Sequence, residues 1–425
     1  MQAGTGLAPM TISVSSSEHD AAELDRILDG GLLTTVYQPI VELETGRTVA
    51  YEALARGPEG SPLRRPERMF EVARAAGRVV ELDWACRASA LRGARASGLR
   101  PPHALFVNVE PDVAGVPAPP ELRELLDWAR AELHLVVELT ERSLTDRPAG
   151  VLAGVPFLRA AGVAIALDDV GADARSLALM PFLRPEIVKL DQRLVQESPD
   201  RELAATVHAV AARAEGAGTL VLAEGIETEA HLERARALGA RHGQGWLFGA
   251  PVASPEAEAP GPGAARLAMP RADVPPDART PFELVAAEVE PRIAEAGLLD
   301  ALAAELEDQV LAAGATGVLL VAAAAPPLPE QWARYRAHAE RVAFVGVVGA
   351  GIDAAPDLAV RAGTVRPGDG LAGQWGVCVV SPHLAAALVA ERRDGDRWAY
   401  CLTYDRTLVS GAARMLMQRI RPARS

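Results

Sequence analysis

The sequence predicts an α/β barrel of eight strands that opens on an antiparallel hairpin, followed by a second, smaller α/β domain. Three observations carry this. Strand-like apolar runs alternate with helical spacing from about residue 30 to residue 251. The first two strands are joined by a tight turn at Thr45-Gly46, too short for a parallel crossover. A stretch dense in Pro, Ala and charge (PVASPEAEAPGPGAARLAMPRADVPPDART) then separates the alternation from a second set of strands and helices. Two open doubly wound domains remain the structural alternative for the first part, but no linker-like break divides it.

The elements follow in order. Residues 1–20 read as a disordered polar tail, and AAELDRILDG (21–30) as a short helix closed by glycine. TTVYQPIVE and TVAYEALAR form the hairpin. From Pro66 to Ser97 the apolar spacing is helical. ALFVNVE, LHLVVELTE, VAIALDD, IVKLD and TLVLAEGIE read as strands with helices between most of them, and GQGWLFGAP as a last strand or loop. The expected boundaries are a barrel at 21–254, a linker at 255–279 and a further domain at 280–422. In that domain Thr280 is a candidate N-cap before Pro281, TPFELV through LAAG has helical spacing, and VLLVAAAA, AFVGVVG, WGVCVVS and RWAYCLTYD read as strands with helices between.

Composition narrows the function. Apolar residues make up 49% and aromatics 4%, as in a globular chain with large aliphatic cores. The net charge of −13 argues against general affinity for nucleic-acid polymers or anionic membranes, and makes any anionic substrate depend on local positive charge. The three cysteines, Cys86, Cys378 and Cys401, are scattered without ligand spacing, which suits buried thiols in a reducing cytoplasm. No signal peptide and no apolar run long enough to span a membrane are evident.

Polar residues recur at the strand ends. Glu52 lies in the second strand, Asn108 ends the third, Glu138 the fourth, and Asp168 with Asp169 the fifth. Lys189 and Asp191 end the sixth, Glu224 the seventh, and Gln244 opens the eighth. In a closed barrel the parallel-strand ends converge on one face, where barrel active sites sit. Any one of these residues has an ordinary reading as a cap, turn former or solvent residue; their repetition on strand after strand does not. Acidic groups and an asparagine, without clustered His or Cys, suit hard divalent cations such as Mg²⁺ or Mn²⁺. Adjacent aspartates can bridge two ions for in-line phosphoryl displacement. Every other one of the 43 basic residues is arginine, so Lys189 is the sole lysine. A compact ammonium can steady a nucleophilic water where a planar guanidinium does so poorly.

These residues resemble a known family. YEALAR, with Glu52, Leu54 and Arg56, is similar to the ExLxR signature of EAL-domain cyclic di-GMP phosphodiesterases. The resemblance continues in order through QPI (Gln38 to Ile40), VNV with Asn108, ELTE with Glu138 and Glu141, LDD with Asp168 and Asp169, VKLD with Lys189 and Asp191, AEGIE with Glu224 and Glu227, and QGWLFGAP with Gln244. It implies a modified TIM-type barrel whose first strand is antiparallel, acting as a metal-dependent hydrolase of cyclic di-GMP that yields linear pGpG. It further implies that Glu52, Asn108, Glu138 and Asp168 hold one ion, that Asp168, Asp169 and Glu224 hold a second, and that Lys189 contacts the attacking water, with Glu52 and Glu224 sharing in catalysis. Arg56 would bind the substrate, Gln38, Asp191 and Gln244 would line its groove, and Glu141 and Glu227 would support the loop after the fifth strand.

That loop is where the chain departs from the family. Active members commonly read DDFGTGYSSL, and this chain reads DDVGADARSL (Asp168 to Leu177), with Val170, Asp173, Ala174 and Arg175 at the differing positions. Because the loop supports the second metal position and often the dimer contact, metal affinity, rate or regulation is open to change. In the C-terminal part, TPFELV, QWARYRAHA and LTYDR…AARML resemble the DICT domain, a sensory module, whose ligand or protein partner the sequence does not reveal. Arg334 and Arg336 read as a solvated helix face and Trp375 and Trp398 as core. The expectation is a cytoplasmic, homodimeric enzyme modulated by its C-terminal domain. The alternative from another class is a catalytically silent cyclic di-GMP receptor signalling by conformational change.

Overall fold

The computed structural model describes residues 12–110, 113, 116–140, 145–173, 175–198, 200–256, 267, 279–352, 359–365 and 368–422. Eight strands close into a barrel in sequence order: β1 (Thr34–Glu42), β2 (Thr48–Arg56), β3 (Ala104–Asn108), β4 (His134–Leu139), β5 (Ala164–Val170), β6 (Ile187–Leu190), β7 (Leu220–Ala223) and β8 (His242–Gly243). The short β1–β2 connection forces an antiparallel pair, and β1 is antiparallel to β8 as well. All other neighbours are parallel.

The first helix, α1 (Ile12–Asp29), begins earlier than expected. Residues 12–20 are therefore helix rather than tail: Asp20 is ion-paired to Arg68, and Leu24 and Ile27 are buried. Residues 1–11 lie outside the described residues. The helical stretch expected at 66–97 is two helices, α2 (Pro66–Ala75) and α3 (Val79–Ala96), broken at Gly77, which takes φ 69°. The outer ring continues with α4 (Arg123–Glu132), α5 (Pro148–Ala160), α6 (Arg175–Leu183), α7 (Gln192–Gln196), α8 (Arg201–Ala217) and α9 (Glu229–Ala237).

Strand alternation sets the layers inside the barrel. Ala50, Phe106, Val136, Ala166, Ile187 and Leu222 each precede a polar strand-end residue by two positions, so they share its face, one layer deeper. They form one apolar cluster with Ile40 and with Leu267, which is 6% exposed. Leu267 belongs to the stretch read as linker, and Glu256 in the same stretch shares backbone hydrogen bonds with the Tyr51 hydroxyl. The barrel floor thus recruits residues beyond 254; the rest of 257–278 lies outside the described residues.

The C-terminal part is a seven-stranded sheet of order β12-β11-β10-β13-β14-β15-β9. Its strands are β9 (Arg292–Glu295), β10 (Val318–Ala323), β11 (Phe344–Gly349), β12 (Arg361–Thr364), β13 (Gln374–Val380), β14 (Ala385–Arg392) and β15 (Arg397–Thr403). The helices are α10 (Pro281–Ala286), α11 (Ala296–Ala312), α12 (Pro329–Ala339) and α13 (Arg406–Met417). Thr280 caps α10, its hydroxyl accepting from the Glu283 amide at 3.1 Å. Three strands depart from the sequence reading: β9 interrupts what looked helical, β12 is short, and β14 occupies a segment read as helix. AAALVA in β14 is buried on both faces, and such a run carries no period to distinguish strand from helix. Arg334 is not a merely solvated residue, since its Nε sits 2.9 Å from buried Glu307 Oε2.

The two parts share a core. Helix α13 packs against α5 and α6, and its buried Val409, Leu416 and Met417 belong to the same apolar cluster as the barrel's outer shell. Arg414 of α13 donates to the Leu152 carbonyl at 3.4 Å, and Arg361 donates to the carbonyls of Thr145 and, at 3.0 Å, Asp146. Among the described residues, no helix is long and apolar enough to cross a membrane.

Candidate active site

Each strand from β2 to β8 delivers a polar side chain to the barrel mouth, β2 from its middle at Glu52 and the others at or near their ends. Lys189, fully buried on β6, is the centre of the group. Its Nζ lies 2.6 Å from Glu138 Oε1, 2.8 Å from Glu224 Oε1, 2.9 Å from Asp168 Oδ1 and 3.3 Å from Glu52 Oε2. Glu52 also accepts from Asn108 Nδ2 at 3.3 Å and from Gln244 Nε2 at 2.7 Å. Gln244 reaches Glu224 Oε1 at 3.1 Å as well, so its amide is part of the ring.

The ring is electrostatically unbalanced. Four carboxylates (Glu52, Glu138, Asp168 and Glu224) surround one ammonium, with Glu52, Glu138 and Lys189 buried, and a fifth, Asp169, stands exposed at the rim. Burial, with repulsion from Glu52 and Asp168, holds Glu138 well above the ordinary carboxylate range. Burial and the charges of Asp168 and Glu52 push Glu224 up to about 8, and partial burial with the charge of Asp168 pushes Asp169 up to about 6. Burial would raise Glu52 too, but Lys189 and the donors from Gln244 and Asn108 bring it below its usual value. Burial alone would deprotonate Lys189; the four carboxylates overcome it and hold the ammonium well above its ordinary value.

The donor set fits a hard divalent cation. Oxygens of Asp168, Asp169 and Glu224 all lie within 4.8 Å of one another. Glu138 Oε2 and Gln244 Oε1 are buried without a hydrogen-bond partner, which is costly unless something completes them. Every ligand atom is oxygen, the preference of magnesium- or manganese-like ions. Asp169 takes φ 55°, a left-handed turn that Asp tolerates better than most residues and that lets two adjacent carboxylates face one site.

The other expected residues are placed differently. Gln38 stands opposite Glu52 in the β1–β2 register. Arg56, at the end of β2, donates from Nη1 to the Ala55 carbonyl at 2.8 Å and is not among the residues lining the cavity beside the ring. Asp191 is taken up as the N-cap of α7, accepting from the Arg193 amide at 3.0 Å and the Arg193 Nε at 3.1 Å. Glu227 is exposed in the connection after β7, where its backbone amide donates to His231 Nδ1 at 3.3 Å. Glu141 lies outside the described residues.

Two residues that sequence reasoning passed over hold the mouth together. Arg193 donates to the carbonyls of Gly171 (3.2 Å) and Ala172, anchoring the loop after β5 that departs from the usual pattern. Asp83 on α3 receives the Glu110 amide at 2.8 Å just past Asn108. Their local partners, Asp191 and Arg87, read as ordinary short-range pairs, and the contacts that matter for the mouth are to distant backbone groups that the sequence does not show. Cys86 is half-buried, packed against the core and lining the cavity, whereas Cys378 and Cys401 are buried thiols.

An eight-stranded barrel with a hairpin-reversed first strand and a buried carboxylate ring around a lysine defines an acidic-site α/β barrel of the phosphoryl-chemistry type. Residues 21–251 match the model of the EAL domain, and the chain belongs to that family. It is 31% identical over 240 residues to the cyclic di-GMP phosphodiesterase RocR of Pseudomonas aeruginosa, covering 54% of this chain and 60% of that protein. It is 34% identical over 221 residues to the "Probable cyclic di-GMP phosphodiesterase PdeB" of Escherichia coli, covering 50% of this chain and 41% of that protein. The chain thus spans well under two thirds of the length of these relatives. A solved Klebsiella pneumoniae BlrP1 manganese/cyclic di-GMP complex aligns at 30% identity with a TM-score of 0.46, over 52% of this chain and 56% of that one.

Proposed function

We propose that this chain hydrolyses one phosphodiester bond of cyclic di-GMP to give linear pGpG, with Mg²⁺ or Mn²⁺ as cofactor. The observation that carries the reading is the ring itself: Lys189 within 2.6–3.3 Å of four carboxylates at the barrel mouth of an EAL-family chain. The relatives RocR, named a cyclic di-GMP phosphodiesterase, and PdeB, named a probable one, support the substrate. Glu52, Asn108, Glu138 and Asp168 would hold one ion, and Asp168, Asp169 and Glu224 a second. Bound there, divalent ions supply Lewis-acid stabilisation of phosphoryl oxygens and a lowered pKa for water.

The chain's own groups do the rest. Lys189 stays protonated among its carboxylates, so it acts as a donor that orients the attacking water and cannot itself accept the water's proton. The proton passes to a ring carboxylate, Glu224 or Glu52, both in contact with the same ammonium. The water oxygen bonds to phosphorus, the bond to the ribose 3′ oxygen breaks, and the proton held by the ring carboxylate passes to that oxygen, which leaves as a hydroxyl and gives a 5′-phosphate. Gln244 bridges Glu52 and Glu224 and keeps their oxygens turned inward. Arg56, Gln38 and Asp191 would meet the substrate, Arg56 on exchanging its bond to the Ala55 carbonyl and Asp191 on exchanging its bonds to Arg193.

The C-terminal sheet, with its resemblance to the DICT module, is a regulatory element acting through α13 on α5 and α6. The same reading places the protein in the cytoplasm as a homodimer. Incubating the purified chain with cyclic di-GMP and Mn²⁺ or Mg²⁺, and following pGpG, tests the activity. Tight binding without product would replace it by a receptor role.

A further inference from the structure

A cavity of about 560 Å³ opens beside the ring. On one side it is lined by Glu52, Asn108, Asp168 and Asp169, and on the other by Asp83 and Arg87 of α3. Asp83 is 2% exposed, an expensive position for a carboxylate. Its Oδ1 accepts the Glu110 amide at 2.8 Å, and its other oxygen is ion-paired to Arg87, one turn on. The Arg87 guanidinium is stacked over Trp84, its Cζ 3.6 Å from the ring centroid. This pair touches none of the ring carboxylates. It grips the backbone where β3 leaves the barrel.

That exit is held from several directions. The Glu110 side chain is ion-paired to Arg74 at 2.8 Å, and the Val109 amide donates to the Glu138 carbonyl at 3.2 Å. Asn108, two residues before Glu110, supplies the ring's neutral amide, whose Nδ2 reaches Glu52 at 3.3 Å. Asn108 is the last residue paired in the β3–β4 ladder, and beyond the Val109 bond the chain has no further ladder partner, so the anchor on the Glu110 amide helps to hold the direction in which Asn108 leaves the strand. Burial raises the Asp83 carboxyl above its ordinary value, and the Arg87 guanidinium paired to it offsets part of that rise.

We propose that Asp83, held by Arg87, is a positioning residue for the active site: by fixing the Glu110 amide it sets Asn108 towards Glu52 and the cation-binding oxygens. The proposal rests on the reading of Asn108 as a cation ligand. Outer partners of this kind typically change metal affinity or activity about 10–100-fold when removed.

Two variants separate positioning from plain stability. Asp83→Asn keeps an acceptor for the Glu110 amide but strands the Arg87 charge. Asp83→Leu combined with Arg87→Met removes the acceptor while leaving no buried charge unpaired, a replacement cores usually tolerate. Hydrogen exchange at Glu110 in metal-free protein and Mn²⁺ affinity are the readouts. The double variant should exchange at Glu110 at least about 10-fold faster and bind Mn²⁺ about 10–100-fold more weakly. Asp83→Asn should stay within about threefold of the unmodified protein on both, even if it melts earlier. A double variant with unchanged exchange and affinity overturns the proposal, and so does an Asn variant that loses as much as the double. Unmodified protein that protects Glu110 and binds Mn²⁺ yet yields no pGpG defeats the phosphodiesterase reading alone.

Discussion

Lys189 Nζ approaches Glu138 Oε1 to 2.6 Å, the shortest of its four carboxylate contacts. The lysine is therefore the structural cation of the ring as well as a catalytic donor. Lys189→Met would leave the carboxylates without that charge, an imbalance of the order of 3–5 kcal/mol for a broken buried pair. Metal-free Lys189→Met should melt well below the unmodified protein, and Mn²⁺ should raise its melting temperature by more than it raises that of the unmodified protein. Calorimetry with and without Mn²⁺ reads both. Equal shifts would show the ring balanced without the lysine.

Lys189→Arg keeps the charge and changes its shape. A planar, larger guanidinium cannot sit at the meeting point of four carboxylates in a fully buried position. Turnover should fall by about 100-fold or more while Mn²⁺ binding largely persists. Turnover near that of the unmodified protein would remove the donor role assigned to Lys189.

Gly245→Ala tests the frame around Gln244. Gly245 takes φ 156°, and a Cβ there would run into the backbone of Ile226. The Ile226 amide donates to the Gln244 carbonyl at 3.1 Å, so the two loops are hooked together at that point. The substitution should cost about 1–3 kcal/mol and lower kcat more than it raises KM, because it displaces Gln244 from Glu52 and Glu224. Steady-state kinetics beside a urea titration would settle it, and an Ala variant with kcat unchanged would show that Gln244 tolerates displacement.

The ring was legible in the sequence because barrel topology places one strand-end position per strand on a common face, so Glu52, Asn108, Glu138, Asp168 and Glu224 could be gathered without coordinates. What they do to one another was not legible. That the Gln244 amide bridges Glu52 and Glu224 could not be read from the sequence. Asp191 reads as a substrate ligand, yet at a helix start a carboxylate finds backbone amides first. Glu227 reads as a support and stands in solvent. In the second sheet, β14 was hidden because alanine-rich strands buried on both faces lack period, and β12 because four residues carry too little pattern.

The seam between the parts gives a prediction about control. Arg361 of β12 donates to the carbonyls of Thr145 and Asp146, immediately before α5, and α5 leads into β5 with its paired aspartates. Arg361→Ala should speed amide exchange over residues 145–152 and change turnover by about twofold or more, the scale of a coupling of 0.5–2 kcal/mol. Faster exchange with unaltered turnover would argue that the C-terminal part does not act on catalysis through this contact.

Acid sensitivity of the C-terminal part should trace to Asp369. Arg419 donates to both its oxygens at 2.9 Å, and these bonds hold the carboxyl below its usual value. A carboxyl lowered in the folded state stabilises above its unfolded value near 3.8 and loses that contribution as pH falls through the folded value. Asp369→Asn should lower stability by about 1 kcal/mol at neutral pH and cancel this part of the acid slope. Melting curves from pH 7 to pH 2 would show it, and parallel curves for the two proteins would contradict it.

Leu267 seals the underside of the ring's supporting layer from a position sixteen residues beyond the matched family segment. Grafting residues 21–251 into another protein would therefore transplant a vessel without its stopper. Water would gain a route to Phe106, Val136 and Ile187, directly beneath the charges. A recombinant fragment designed around this catalytic unit should extend at least through residue 267, wherever its chain is joined to a new partner.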